Sequence, residues 1–219
     1  MHEVFLDTET TGLSYRDGHK IVEIACIETK DLIPTGKIFH KFINPKRGVP
    51  EAAFKVHGIS ENFLKDKQTF DVIADEFINF IKEKKIIIHN ASFDLGFLDG
   101  ELKEIKKNKI EKKLVIDSLE IARNKFPGTS NSLDALCRKF NIDLSRRSKH
   151  NALLDCELLR EVYINLVDVR EPKFNLTNNN VGFNSTSVKG YSKKIVEISD
   201  VEIESHKEFL KNELKKNFY

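Results

Sequence analysis

Residues 1–43 carry three apolar runs whose spacing is typical of strands. Residues 3–6 form a short apolar run that ends in the polar stretch 7–12, as a buried strand followed by a turn would. Residues 20–29 and 36–43 mix alternation with apolar pairs, and Pro34 with Gly36 would supply the tight connection between them. Strands joined by short links pair antiparallel, so the sequence predicts an antiparallel meander at the start of the chain.

From residue 70 onward the apolar positions recur mainly with the period of a helix. Two apolar runs, at 86–88 and near 114–116, are too short for helices and predict two further strands. The predicted helices span residues 70–83, 92–107, 118–125, 132–140 and 151–166. Strands followed by alternating helices and strands predict an α/β fold, in which helices pack on a mixed sheet.

The composition changes after residue 166. Residues 167–192 are rich in asparagine and poor in large apolar side chains, which predicts a flexible linker. Apolar patterning then returns, with a strand-like run at 195–198 and a helix that Ser199 or Asp200 would cap. We therefore expect three parts: a domain at 1–166, a linker at 167–192 and a C-terminal docking tail at 193–219.

Composition narrows the possible classes of protein. The chain has 219 residues, a net charge of +2, 40% hydrophobic and 32% charged residues, which argues against an integral membrane protein and against a disordered polyion. A charge so close to balance means that any nucleic-acid role must rest on a local site. Three widely spaced cysteines and no signal-like N-terminus lead us to expect a cytoplasmic protein without disulfides or structural zinc.

Five residues suggest a common chemistry. Asp7 and Glu9 project from the same side of a strand, Asp94 follows a buried strand, and His150 and Asp155 begin a predicted helix. Taken singly, each is more simply a solvated charge or a helix cap. Taken together, four carboxylates suit two Mg²⁺ or Mn²⁺ ions about 4 Å apart, as in phosphodiester cleavage, and the histidine can accept the proton of an attacking water.

Three segments carry a family resemblance. Residues 5–12 (FLDTETTG), 89–94 (HNASFD) and 150–155 (HNALLD) resemble, in order, the motifs of the DEDDh 3′→5′ exonuclease family. The resemblance covers about residues 2–166 and implies an RNase H-like fold with a five-stranded sheet. Residues 56–59 and 126–137 are most similar to the proofreading (epsilon) subunits of bacterial DNA polymerase III.

The resemblance also implies a role for each matching position. Asp7, Glu9 and Asp155 would bind metal, with Asp7 bridging both ions, Asp94 would complete the set through water, and His150 would be the general base. The implied substrate contacts are Asp7, Glu9, Asp155, His57, Leu13, Phe93 and the segment from Thr10 to Gly12. Relatives often carry a glutamate where this chain has Ala52, and whether Glu51 replaces it stays open.

Basic side chains surround the third motif and offer a further candidate contact. They could attract backbone phosphates, although a solvated basic face is the simpler interpretation. The residues concerned are Arg138, Lys139, Arg146, Arg147 and Lys149.

The expected partners follow from the same resemblance. The substrate would be a single-stranded 3′ end of DNA. Residues 193–219 more weakly resemble the segment that binds the polymerase catalytic (alpha) subunit; the alternative is a helix folded back on the domain. A small accessory subunit is a further candidate partner. A glutamine-led sliding-clamp motif is absent after the domain, because the only glutamine is Gln68.

Three functions remain open from the sequence. The first is a proofreading exonuclease that removes mispaired 3′-terminal nucleotides during DNA replication. The second is a DEDDh enzyme that trims RNA by the same chemistry. The third is a non-catalytic polymerase assembly subunit with a vestigial acidic site, although all five chemical positions are intact.

Overall fold

A computed structural model describes residues 2–147, 149–167 and 199–213 of the chain. The chain divides into two compact units, Met1–Lys173 and Phe174–Tyr219, which are considered separately.

The first unit is built on a five-stranded mixed sheet with the order β3-β2-β1-β4-β5. The central strand β1 pairs antiparallel with β2 and parallel with β4; β2 pairs antiparallel with β3, and β4 pairs parallel with β5. The strands are β1 His2–Thr10, β2 Ile21–Lys30, β3 Ile33–Phe42, β4 Lys85–Ile88 and β5 Val115–Asp117.

Seven α-helices of this unit are described. They are α1 Glu51–His57, α2 Glu61–Leu64, α3 Phe70–Ile81, α4 Ala91–Glu104, α5 Ser118–Lys125, α6 Leu133–Lys139 and α7 Ala152–Leu166. Short 3₁₀ turns at Tyr15–Asp17 and Lys112–Leu114 complete the unit.

Strand β1 is buried on both faces because helices cover both sides of the sheet. Val4 and Leu6 point to one face, where Phe77 of α3 and Phe97 of α4 belong to the same apolar cluster. Phe5 points to the other face and packs in a second cluster with residues of α7. The two-residue period of a strand separates these faces. The same alternation continues into the polar end of β1 and directs its side chains to opposite sides of the sheet.

Three details differ from the sequence-based prediction. Strand β1 continues to Thr10, because β2 pairs with it up to Ile21; the turn predicted for the polar stretch 7–12 therefore begins only after Thr10. The β2–β3 connection is not made by Pro34 and Gly36, which lie within β3. It is the pair Asp31–Leu32, where both φ angles are positive (52° and 65°), as in the tight turns that match strand twist. An edge strand such as β3 tolerates proline.

The other strands and helices predicted within residues 1–166 are confirmed, with ends shifted by a few residues. Helices α1 and α2 were not predicted. They have 7 and 4 residues, too few to display a clear helical period in the sequence.

The second unit contains helix α8, Asp200–Glu213. The predicted cap is confirmed: the Ser199 hydroxyl oxygen accepts the Glu202 backbone N–H at 3.4 Å, and the Ser199 backbone N–H donates to Glu202 Oε2 at 3.0 Å. The expected linker and the strand-like run at 195–198 lie outside the described residues. Within the described ranges, no helix combines the length and apolar character needed to cross a membrane.

Substituting one buried ring on α3 tests the packing of the larger core. We expect Phe77→Ala to lower the free energy of unfolding by about 3–5 kcal/mol, because Phe77 is fully buried and its removal leaves a cavity. Val72→Ala on the same helix is the matched control, since Val72 is 58% exposed. Urea unfolding of the full chain measures both; equal losses would contradict this account of the core.

Candidate active site

The polar end of β1 supplies carboxylates to one side of the sheet and a hydroxyl to the other. Asp7 and Glu9 share the side on which α7 packs, following Phe5 along the strand. Thr8 points to the opposite side, where its Oγ1 donates to Asp94 Oδ1 at 2.7 Å. Asp94 lies in the first turn of α4 and is only 3% exposed. Strand β1 therefore contacts the third carboxylate directly through Thr8.

The start of α4 is held by the strand beside it. The Asp117 side chain at the end of β5 accepts the backbone N–H groups of Asn90 and Ala91, at 3.1 and 3.0 Å. Asn90 adopts a left-handed conformation (φ 68°) before the helix begins. These bonds satisfy helix-terminal donors and set the direction in which Asp94 projects.

The start of α7 is held by a buried carboxylate that sequence reasoning missed. Glu23 lies opposite Glu9 in the β1–β2 ladder and is fully buried. It accepts the Asn151 side-chain amide at 3.1 Å and the Ala152 backbone N–H at 3.3 Å, and it lies 2.7 Å from His40 Nε2. The available signal was a charged residue among the apolar positions of residues 21–27.

The fold brings the predicted acidic residues and the histidine to one place. Ligand atoms of Glu9, His150 and Asp155 lie within 4.8 Å of one another. Asp7 and Asp94 line the same cavity, which has a volume of about 710 Å³.

Burial and mutual repulsion govern the protonation of these acids. Burial, and then the neighbouring carboxylates led by Asp94, raise the pKa of Asp7 well above its usual value. Burial and the charge of Asp155 raise the pKa of Glu9 to about 8, and burial raises the pKa of Asp94 to about 7. An uncompensated cluster of this kind resists ionisation.

Asp155 differs from the other acids because Arg147 neutralises it. Burial alone would raise the pKa of Asp155, but the hydrogen bonds and the positive charge of Arg147 lower it below the usual value. Arg147 Nε donates to Oδ1 at 2.6 Å and Nη2 donates to Oδ2 at 2.8 Å. The sequence placed Arg147 among five candidate phosphate contacts; the structure places it inside the acidic cluster.

The residues expected to contact substrate line the same cavity. Thr10, Leu13, His57 and Phe93 all belong to its wall. Leu13 is 86% exposed, an unusual position for a large apolar side chain.

His57 presents an unused donor. Its Nδ1 accepts the Ile59 N–H at 2.9 Å, which leaves the proton of the neutral ring on Nε2. That Nε2 is buried and has no hydrogen-bond partner among the described residues. Burial also lowers the pKa of His57, which favours the neutral ring.

The segment after β1 is folded closely against its surroundings. Thr10 Oγ1 donates to the Gly12 carbonyl at 2.6 Å, and Thr11 Oγ1 lies 3.2 Å from His19 Nδ1. A Cβ atom on Gly12 would lie 2.4 Å from the His19 ring, so glycine allows this approach. His19 lines the same cavity and was missed by the sequence-based prediction.

Glu51 does not take the place of the missing glutamate in the cavity wall. Its side chain is 78% exposed and forms an ion pair with Lys55 at 2.7 Å. Ala52 and Ala53 line the cavity instead.

The donor set fits a divalent cation. The cluster offers mainly carboxylate oxygens and no sulfur, and oxygen is the donor that Mg²⁺ and Mn²⁺ prefer. Glu9 Oε1 is buried and has no hydrogen-bond partner among the described residues, so it retains the capacity to bind a cation.

Comparison with known proteins assigns the family. The model of the exonuclease family (RNase T) matches residues 4–163. The chain belongs to this exonuclease family. A DNA polymerase III subunit epsilon from Rickettsia felis is 44% identical over 224 residues, which cover 98% of each chain. The epsilon subunit of Escherichia coli K12 is 46% identical over 169 residues, covering 74% of this chain and 70% of that one.

The fold of this chain also matches that of a solved structure. The nuclease domain of 3′hExo, a DEDDh family member determined bound to rAMP, has a TM-score of 0.66 at 15% identity, covering 76% of this chain and 92% of that one. At this identity the likeness concerns the fold. This likeness confirms the expected RNase H-like architecture, while the family match and the epsilon-subunit relatives confirm the expected exonuclease assignment.

The electrostatics of the exonuclease site predict opposite stability effects at two of its acids. In EDTA, Glu9→Gln should raise the melting temperature by about 2–4 °C at pH 8, because it removes a charge that the fold disfavours. The native Glu9 keeps its proton longer than the unfolded chain does, so its stability cost grows as pH rises from about 4.5 to about 8. The gain should therefore shrink at pH 5.

Asp155→Asn is the contrasting variant. It removes the partner of Arg147 and should destabilise the fold by about 1–3 kcal/mol at pH 8. Thermal unfolding of both variants checks the assignment; stabilisation by Asp155→Asn would contradict the charge distribution described above.

Proposed function

We propose that this exonuclease is the proofreading subunit of a bacterial DNA polymerase III and removes mispaired 3′-terminal nucleotides from DNA by two-metal-ion hydrolysis. The observation that carries the proposal is the convergence of Glu9, His150 and Asp155 within 4.8 Å, beside Asp7 and Asp94, in a chain similar to epsilon subunits along almost its whole length.

The four acidic residues of the site would bind the metal ions. Asp7, Glu9 and Asp155 would hold two Mg²⁺ or Mn²⁺ ions directly, and Asp94 would do so through water. When bound, these ions would supply Lewis-acid stabilisation of the attacking and leaving oxygens. Burial and the neighbouring carboxylates raise the pKa values of Asp7 and Glu9, and bound cations would offset the repulsion that causes part of this rise.

His150 would accept the proton of the attacking water. Its side chain is 49% exposed and lies 3.5 Å from Asp155 Oδ2, which keeps the ring at the edge of the acidic cluster. Imidazole is the side chain that most commonly serves as a general base near neutral pH.

The cavity wall would hold the terminal nucleotide without reading its base. His57 Nε2–H can donate to an acceptor oxygen of the nucleotide, and Leu13 and Phe93 offer apolar surface for stacking. Unpairing the last nucleotide costs least at a mismatch, so a site that takes a single-stranded end selects mispaired termini.

Helix α8 would contribute to partner binding. Val201, Ile203 and Phe209 expose apolar surface along it, at 74%, 40% and 58%. We propose that residues 193–219 bind the catalytic subunit of the polymerase in the cytoplasm, and that a small accessory subunit is a further partner.

Substitution of two site residues tests the chemistry. Asp7→Ala and His150→Ala should lower the rate on 3′-labelled single-stranded DNA with Mg²⁺ or Mn²⁺, the latter by about 10²–10⁴-fold, while circular dichroism stays unchanged. His206→Ala, on an exposed position of α8, is the matched control.

Single-stranded RNA of the same sequence is tested alongside. A preference for RNA would favour the RNA-trimming alternative, and the absence of cleavage of both substrates would favour a non-catalytic assembly subunit.

Removal of the tail tests the partner. A chain lacking residues 193–219 should lose binding to the polymerase catalytic subunit in a pull-down, and Phe209→Asp in the full chain should weaken it by about tenfold or more. Lys207→Ala on the same helix is the control. Retained binding by the truncated chain would refute this role.

A further inference from the structure

Arg147 makes contacts inside the active site that the proposed chemistry does not use. Its side chain is only 8% exposed. The guanidinium donates to both oxygens of Asp155, at 2.6 and 2.8 Å, and to His150 Nδ1 at 3.0 Å. Its Nη1 also contacts Asp134 of α6. One side chain thus binds a proposed metal ligand and the proposed general base at the same time.

The bidentate pair with Asp155 conflicts with cation binding. A guanidinium fork on a carboxylate is among the stronger ion pairs in proteins, and it occupies both oxygens of the acid. A cation bound by Asp155 needs one of these oxygens, and it would also be repelled by the positive charge of the guanidinium on the same carboxylate. Strong binding of Arg147 and of a cation to Asp155 therefore oppose each other.

The contact between Arg147 and His150 links the proposed general base to this competition for Asp155. A guanidinium has only donors, so the Nδ1 lone pair of His150 is engaged by Arg147 Nη2. The same Nη2 also donates to Asp155 Oδ2. Moving the guanidinium away from Asp155 would therefore break its bond to His150 as well.

Asp134 is a second carboxylate to which the Arg147 guanidinium can stay bound. It lies on α6, outside the set of proposed metal ligands, and its side chain is 38% exposed. An arginine released from Asp155 can keep this contact and stay beside the site.

We propose that Arg147 is an internal counter-ion that competes with the divalent cation for Asp155, so that cation binding releases Asp155 and His150 together. This rests on the proposed function, because it assigns Asp155 to the cation and His150 to the base. Arg147 is then a positioning residue that keeps the base engaged until the cation arrives.

The test measures cation binding without substrate. Full-length wild-type, Arg147→Gln and Arg147→Lys proteins, stripped with EDTA and dialysed, are titrated with Mn²⁺ by calorimetry. Arg147→Gln should bind Mn²⁺ about tenfold more tightly or better, since the competing charge is gone. Before Mn²⁺ is added, the melting temperature of Arg147→Gln should be lower than that of the wild type. Adding Mn²⁺ should raise the melting temperature of Arg147→Gln by more degrees than that of the wild type.

Two variants serve as comparisons. Arg147→Lys keeps the charge without the planar fork and should give an intermediate affinity. Arg146→Gln is the matched control, because Arg146 is 70% exposed and pairs with Glu157 at 3.1 Å, away from the acids described above. It should bind Mn²⁺ as the wild type does.

A second measurement uses the wild type and so does not depend on how the variants fold. Nitrogen chemical shifts of the His150 ring are followed while Mg²⁺ is added. The Nδ1 shift should move as its bond to Arg147 breaks, and in Arg147→Gln it should start near the Mg²⁺-saturated value.

The outcomes separate this proposal from the proposed function. Equal or weaker Mn²⁺ binding by Arg147→Gln, or a His150 shift unaffected by Mg²⁺, would overturn the competition and leave the nuclease assignment standing. A wild-type protein that binds no Mn²⁺ would contradict both. Tighter Mn²⁺ binding by a variant that degrades no DNA would support the competition alone.

Discussion

The crowding of four carboxylates at one edge of the sheet is the constraint on which the rest of this structure depends. Like charges in a poorly solvated site repel, and the raised pKa values of Asp7, Glu9 and Asp94 express that cost. A site of this kind persists only where surrounding elements hold its members in place. Hydrogen bonds from neighbouring elements hold these acids in place, and the buried guanidinium of Arg147 pairs with the fourth acid, Asp155.

The supports come from every element that reaches the site. Thr8 fixes Asp94 from the strand side, Asp117 fixes the start of α4, and Glu23 fixes the start of α7. Strand β1 is itself clamped between apolar clusters on both faces, so Asp7 and Glu9 project from a backbone with little freedom. Groups placed on such elements keep their geometry better than groups on loops.

Charge in this protein acts locally. The chain is nearly neutral overall, and several basic residues around the third motif have partners in the fold. Arg146 pairs with Glu157, Lys139 lies over the Phe126 ring, and Lys149 lies over the Phe54 ring. Cations held by the acids, with the cavity wall, would account for phosphate binding without a broad basic surface.

The sequence by itself predicted most of the main elements, the α/β class and the five candidate site residues, because strand and helix periods and the spacing of the motifs are local properties. The tertiary structure alone decided how far β1 extends, since that depends on pairing with β2. It alone revealed Glu23 and Arg147, whose partners Ala152 and Asp155 were not apparent from the sequence. The structure also shows that Glu51 pairs with Lys55 and does not line the cavity. Hydrogen bonds between distant segments, and the burial that strengthens them, arise only when the chain has folded.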